Sequence, residues 1–379
     1  MHDHRAPGSQ ELWQGFSKLP PVRRFRWWIG GGVLLFVLVL VGIFVFTGPS
    51  TPPGPIDRPG PPGTGPLTIV SMGDSTLSGE GAGDYTADTN GANGDWCHRS
   101  PNATVEQTDI PGIVEKINLA CSGAPAAQVG LGDTKQWTEP SQAGRLAELV
   151  KTHRVAAVVV AVGANDDPHF SQLISQCFQA WFVSGNAPCR TAIAPTWQQR
   201  VDAMVPKVVT ALNDIKTVLA RAGYQPGDSQ LVLQSYAAPI GPGIPANLQN
   251  LNGCPFRTED LRWVVDEGVP VLSRGLASAA AQAGLRFLDL SRAGLGHEAC
   301  SGGADPSTEW FSRLTLQLND LADADRAGHA IQESFHPNAN GHAQFGRCLS
   351  EFLATDAPAA ACLKGQDGNL HPAATVTAG

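Results

Sequence analysis

Four short pieces of this 379-residue chain carry residue types that together could run acyl chemistry. In chain order they are Gly73-Asp74-Ser75-Thr76, Cys121-Ser122-Gly123-Ala124, Gly163-Ala164-Asn165-Asp166 and Glu333-Ser334-Phe335-His336-Pro337-Asn338. A serine hydroxyl is a weak nucleophile at neutral pH and needs an adjacent base. Ser75 and His336 supply that pair. Attack on an ester carbonyl leaves an oxyanion, which needs donors aimed at it. The main-chain N–H groups of Ser75 and Gly123 and the side-chain amide of Asn165 supply three, and Gly123, lacking a Cβ, lets the backbone come close to a substrate. The imidazole also needs an acceptor on its second nitrogen. Glu333, three residues before His336, is one candidate, and the main-chain carbonyl of Ser334 is the other. Each piece alone has a simpler reading: a capped turn, a bridged loop, a turn asparagine, a loop histidine. The four in this order favour acyl transfer.

Groups so scattered in sequence can meet at the carboxyl ends of parallel strands, and the chain supplies suitable elements. Residues 67–72, 113–120, 155–162, 230–236 and 285–290 read as strands. The third, VAAVVVAV, is almost continuously apolar, as a strand buried on both faces should be. Residues 141–153, 201–222, 259–283 and 343–353 carry helical patterns. This alternation predicts an α/β fold with a five-stranded parallel sheet and helices on both faces. Residues 177–197 read as a long insertion after the third strand, a flap. Its Phe178, Trp181 and Phe182 fit either an acyl pocket or a half-buried core. Asp74 reads as a brace of its turn, Asp166 as a brace of the Asn165 loop, and Arg99 as half of a structural ion pair. His153, His169, His297, His329 and His342 read as structural or solvent-exposed.

The N-terminal part has a different composition. Residues 27–46 form an uncharged apolar run long enough for a helix crossing a hydrocarbon core of ~30 Å. Arg23, Arg24 and Arg26 flank its start, and no basic residue follows until Arg58. The positive-inside rule places residues 1–26 in the cytoplasm and the rest outside. A cleaved signal peptide fits less well, because the leading segment is long and no A-x-A follows. The expected organisation is a basic cytoplasmic tail (1–26), a single transmembrane anchor (27–47), a Pro/Gly-rich linker (48–66) that stays extended, a catalytic domain (67–363) and a flexible tail (364–379). The net charge is −8. Residues 1–28 hold five basic groups against two acidic ones, so the excess of acid lies in the remainder. That balance excludes a basic field for nucleic acid.

Eight cysteines, Cys97, Cys121, Cys177, Cys189, Cys254, Cys300, Cys348 and Cys362, all follow the apolar run. An even number in an oxidising compartment points to disulfides. Pairing of sequential neighbours, 97–121, 177–189, 254–300 and 348–362, is the simplest expectation. No Cys/His set has zinc spacing, so no metal is expected.

These motifs together resemble the SGNH hydrolases, the GDSL-type esterases and lipases. Gly73-Asp74-Ser75 resembles the block with the nucleophile, Gly123 sits where the second-block glycine should, Gly163-Ala164-Asn165-Asp166 resembles the third block, and His336 resembles the last. The stretches Trp96-Cys97-His98-Arg99-Ser100, Asn118 to Ala124 and Gly296-His297-Glu298-Ala299-Cys300 are similar to the secreted, suberin-esterase-like bacterial branch. The resemblance covers about residues 67–353 and implies a flavodoxin-like three-layer α/β/α sandwich, ester hydrolysis and no cofactor. One departure stands out. The family's last block is Asp-x-x-His, whereas this chain has Glu333-x-x-His336, and some relatives use a main-chain carbonyl instead of a carboxylate. The expectation is a membrane-anchored, extracytoplasmic serine esterase or lipase acting on ester substrates, lipid or acylated glycan, through a Ser75 acyl-enzyme. An acyltransferase and a catalytically silent envelope module are the rivals.

Overall fold

The computed structural model describes residues 60–316 and 331–374. Seven strands form one sheet: β1 Leu67–Gly73, β2 Glu115–Asn118, β3 Arg154–Ala161, β4 Gln230–Gln234, β5 Arg286–Asp289, β6 Ala359–Lys364 and β7 Leu370–Ala373. Their order is β2-β1-β3-β4-β5-β6-β7. All neighbours run parallel except the final β6–β7 pair. The helices are α1 Ser75–Ser78, α2 Ala126–Val129, α3 Gln142–Leu149, α4 Phe170–Phe182, α5 Arg190–Arg221, α6 Thr258–Trp263, α7 Val269–Ala283 and α8 Ala339–Leu353. A π-helical turn, Val264–Gly268, joins α6 to α7.

Strand β3 shows why the sheet must be covered on both sides. Successive strand residues point to opposite faces, yet Val158, Val159, Val160 and Ala161 are all essentially without solvent contact. Helix α5 packs on α3 and α7. At the α5–α7 crossing a Cβ on Gly275 would lie 2.3 Å from Val201 Cγ1, so a glycine there lets the helices approach closely. Met204, Val208, Leu212 and Ile215 of α5 are fully buried.

The five expected strands are present, with two more beyond them. Strand β6, AAACLK, lacks the β-branched residues that mark a strand, and β7 contains Pro372, which an antiparallel edge tolerates. The expected flexible tail from residue 364 is therefore corrected. The chain turns at Gly365 to Asn369, with Asp367 Oδ1 accepting from Asn369 N, and runs back to Ala373 paired with Ala361. The expected flap at 177–197 is corrected too: it is the end of α4, a short loop and the start of α5, which runs 32 residues despite Pro195 and Pro206.

Four disulfides join Cys97–Cys121, Cys177–Cys189, Cys254–Cys300 and Cys348–Cys362. The second closes the α4–α5 loop, and the fourth ties α8 to β6. The expected tail, anchor and most of the linker, residues 1–59, lie outside the described residues. Among the described residues no helix is long and apolar enough to cross a membrane.

Candidate active site

The strand order reverses between β1 and β3, because the chain leaves β1 for β2 on one side and returns to β3 on the other. In open α/β sheets the crevice beyond the carboxyl ends at such a point is where ligands bind. Ser75 and Asn165 follow the two strands that border this point, and the loop of Gly123 follows β2, the neighbour of β1.

Ser75 is held by the turn after β1. Gly73 has φ +137°, and a Cβ there would sit 1.9 Å from the Ala161 carbonyl oxygen, so only glycine fits. Its N–H donates to Gln142 Oε1 at 2.7 Å, and its carbonyl accepts from Gln142 Nε2 at 2.8 Å. Asp74 caps α1: Oδ1 accepts from Thr76 N at 3.1 Å, while Oδ2 accepts from the Tyr236 hydroxyl at 2.6 Å. Burial pushes the Asp74 carboxyl up to about 7, against these two donors, which favour its charged form. Asp74 thus braces the turn. Ser75 opens α1, where an N–H has no helical partner. Neither its N–H nor that of Gly123 donates to a protein acceptor among the described residues. Both are available to an oxyanion.

His336 Nε2 lies 2.8 Å from Ser75 Oγ, although 261 positions separate them. The loop carrying His336 is clamped by residues 310–312. Asn338 N donates to the Trp310 carbonyl, Phe335 N to the Ser312 carbonyl, and Ser312 N to the His336 carbonyl. Phe335 takes φ +62°, a costly conformation for a non-glycine residue. Its ring packs edge-on against Phe256 at 4.9 Å. Asn338 then caps α8 by accepting from Gly341 N.

The second imidazole nitrogen faces a carbonyl. His336 Nδ1 is 3.2 Å from the Ser334 main-chain oxygen. A carbonyl only accepts, so Nδ1 carries the proton and Nε2 is free to accept the serine proton. The main-chain carbonyl of Glu333, the other candidate, accepts from the His336 N–H at 3.3 Å, and the Glu333 charge opposes ionisation of the Tyr85 hydroxyl after burial and Glu80 do. Burial pushes the His336 imidazole below its ordinary 6.5; the charge of Glu80 and the Ser334 carbonyl pull the other way without restoring it.

Gly123 adopts φ +81°, and a Cβ there would meet Gln136 Nε2 at 2.8 Å. The Cys97–Cys121 bridge anchors its loop, and Ser122 N donates to the Cys97 carbonyl. Asn165 Nδ2 reaches the Ala124 carbonyl at 3.4 Å. Asp166 Oδ2 accepts from Ala126 N at 2.9 Å, bracing the Asn165 loop against the Gly123 loop. Arg99 pairs with Glu139 through both terminal nitrogens and donates Nε–H to the Ala120 carbonyl. It is structural, as expected.

From Ser75, Asn165 and His336 a cleft runs inward between apolar walls. Its lining includes Phe170, Leu173 and Ile174 of α4, Trp197 of α5, Trp263 of α6 and Phe256. Phe178, Trp181 and Phe182 do not line it. They lean on one another with ring centroids 6.0–6.4 Å apart, and Phe182 is 65% exposed. His342 is buried, with Nδ1 near Thr104 Oγ1, and burial pushes its imidazole down to about 4. His297 stacks on Trp310, and His329 lies outside the described residues. Cys97, Cys121 and Glu139 come within metal-ligand distance of one another, but the two sulfurs are bonded together and are not thiolate donors.

The sequence pattern gave no sign of Tyr236 and Glu80. Tyr236 follows β4 and reaches Asp74 across the switch point. Glu80 is wholly buried just after α1. A lone acidic residue in a glycine-rich turn carries no periodic or motif signal, so only the fold reveals it.

The sequence model of the GDSL-like Lipase/Acylhydrolase family matches residues 71–344, and the chain belongs to this family of SGNH hydrolases. It is a carboxylic ester hydrolase of the SGNH/GDSL type. Among solved structures, the chain is similar to the extracellular lipase from Streptomyces rimosus, at 22% identity over 73% of this chain and 94% of that one, with a TM-score of 0.49. It is also similar to phospholipase A1 from Streptomyces albidoflavus NA297, at 20% identity over the same shares, with a TM-score of 0.42. A third similar structure is Est24, a carbohydrate acetylesterase from Sinorhizobium meliloti, at 12% identity over 76% and 98%, with a TM-score of 0.33. No curated protein matches the chain.

Proposed function

We propose that this chain is a membrane-anchored, extracytoplasmic serine esterase or lipase that works through a Ser75 acyl-enzyme. The observation that carries the reading is the 2.8 Å contact between Ser75 Oγ and His336 Nε2 at the mouth of an apolar cleft. His336 Nε2 takes the hydroxyl proton as Ser75 Oγ bonds to the ester carbonyl carbon. The Ser75 and Gly123 N–H groups and the Asn165 amide hold the resulting oxyanion. Collapse breaks the ester C–O bond, and the imidazolium gives its proton to the departing alkoxide. Water then attacks the acyl-enzyme, its proton passes to Nε2, and Ser75 is released with the free acid. The apolar walls suit an acyl chain, with the alcohol part of the substrate, from a lipid or an acylated glycan, left towards solvent.

Anchoring is supported by the uncharged run at 27–46, its Arg23/Arg24/Arg26 flank and the linker behind it. The four disulfides fit an oxidising compartment. Hydrolysis of a chain-length series of nitrophenyl esters by the full chain, with Ser75→Ala as control, tests the chemistry. Undiminished turnover by Ser75→Ala would overturn it. Protease added to intact cells tests the topology: cleavage within 48–66 supports it, and full protection until the membrane is opened reverses it.

A further inference from the structure

An imidazole oriented only by a carbonyl lacks the negative charge that stabilises the imidazolium during reaction. Glu80 is a fully buried carboxylate near this site, and burying a charge is costly unless donors surround it. Its donors come from the pieces that build the site. His98 Nδ1 lies 2.9 Å from both carboxylate oxygens. The Ser122 hydroxyl, beside Gly123, donates to Oε2 at 2.8 Å. Gln332 Nε2, four residues before His336, donates to the same oxygen at 2.8 Å and also reaches Ser122 Oγ at 2.8 Å. The Tyr85 hydroxyl, stacked with its ring against His98 at 4.3 Å, donates to Oε1 at 3.3 Å. Glu80 itself follows Ser75 by five residues, and its N–H donates to the Ser75 carbonyl. One carboxylate therefore joins the nucleophile turn, the oxyanion loop and the base loop.

We propose that Glu80 is the positioning residue of this site: it holds the Gly123 and His336 loops in register with Ser75 and supplies, from beside the imidazole rather than in contact with its Nδ1, the negative charge that a triad acid would supply. Several facts agree with this role. Burial would push the Glu80 carboxyl upward, but the hydrogen bond and charge of His98 and the charge of His336 hold it below its ordinary value, so it is ionised at neutral pH. Among the other ionisable groups facing His336 are His98 and, from α8, His342. Both are basic, so Glu80 is the acidic counterweight among them. Asp74 is engaged by Tyr236 and Thr76.

The inference rests on the serine mechanism above, and its test separates the two. The full chain and its Glu80→Gln, Glu80→Asp, Ser122→Ala and Gln332→Ala variants are assayed for kcat, KM and the pH profile of kcat/KM on a nitrophenyl ester, beside Ser75→Ala. Glu80→Gln is expected to lose on the order of 10²-fold in kcat, the scale of a small misplacement of reacting groups, with KM little changed. Its acid limb should move to lower pH by at least about half a unit, because an imidazolium without its negative neighbour gives up its proton more readily. Glu80→Asp, which keeps the charge, should keep the wild-type limb. Ser122→Ala and Gln332→Ala keep the charge but cut one tie each, so both should lose turnover at an unmoved limb. Glu80→Gln with wild-type kcat, or with lost kcat at an unmoved limb, would overturn the inference. If Glu80→Gln does not fold, wild-type turnover in both single-tie variants overturns it instead. An active Ser75→Ala would sink the serine mechanism itself, a different outcome from an inactive Ser75→Ala beside an unaffected Glu80→Gln.

Discussion

Replacing Glu333 should matter far less than replacing His336. In a triad with a carboxylate on the imidazole, removing that acid costs about 10⁴ in turnover, or about 5.4 kcal/mol at 1.36 kcal/mol per decade. His336 Nδ1 is oriented by the Ser334 carbonyl at 3.2 Å, which no side-chain substitution removes. What Glu333→Ala removes is a negative charge near the Tyr85 hydroxyl, which keeps the Gly81 N–H at 2.9 Å and Glu80 Oε1 at 3.3 Å. The loss should stay below about tenfold, about 1.4 kcal/mol, against 10⁴-fold or more for His336→Ala. Steady-state kinetics of Glu333→Ala, Glu333→Gln and His336→Ala on one nitrophenyl ester provide the comparison. Losses in both Glu333 variants within tenfold of the His336→Ala loss would make Glu333 the third member of a conventional triad and refute the carbonyl reasoning.

Other expectations follow from the same geometry. Asn165→Ala should fold normally and lose roughly 10²–10³-fold in kcat, the cost of one oxyanion donor; unchanged kcat would show that its amide does not face the oxyanion. Because burial holds His336 below its ordinary value and the base must be neutral to accept the serine proton, the acid limb of kcat/KM should lie below pH 6.5; a limb above 6.5 would contradict the burial argument. Replacing both Cys97 and Cys121 by alanine should lower kcat more than it changes KM, because the bridge tethers the Gly123 loop; a double variant with wild-type kcat would show that the loop holds itself.

The sequence made the candidate reacting groups legible because each sits in a short motif, at a strand end or, for His336, just before the helix Ala339–Leu353. Ser75 and His336, expected to pair, are in contact at 2.8 Å. The uncertainty over Nδ1 came from two acceptors at neighbouring positions, and only the loop geometry separates them. Strands β6 and β7 escaped notice because alanines and a proline carry no strand pattern, and their pairing depends on the sheet edge that β5 offers. The supposed flap hid two helices, since Pro195 and Pro206 break a helical pattern that tertiary packing nevertheless sustains. Glu80 was illegible for a further reason: its donors come from His98, Ser122 and Gln332, which only the folded chain brings together.

The central claim is that Ser75 is an activated nucleophile. Incubating the full chain with a fluorophosphonate and locating the adduct by peptide mass spectrometry tests it most directly. The account predicts one adduct, on Ser75, absent from Ser75→Ala and formed far more slowly in His336→Ala. A folded chain that takes no adduct, or takes it on another residue, would contradict it.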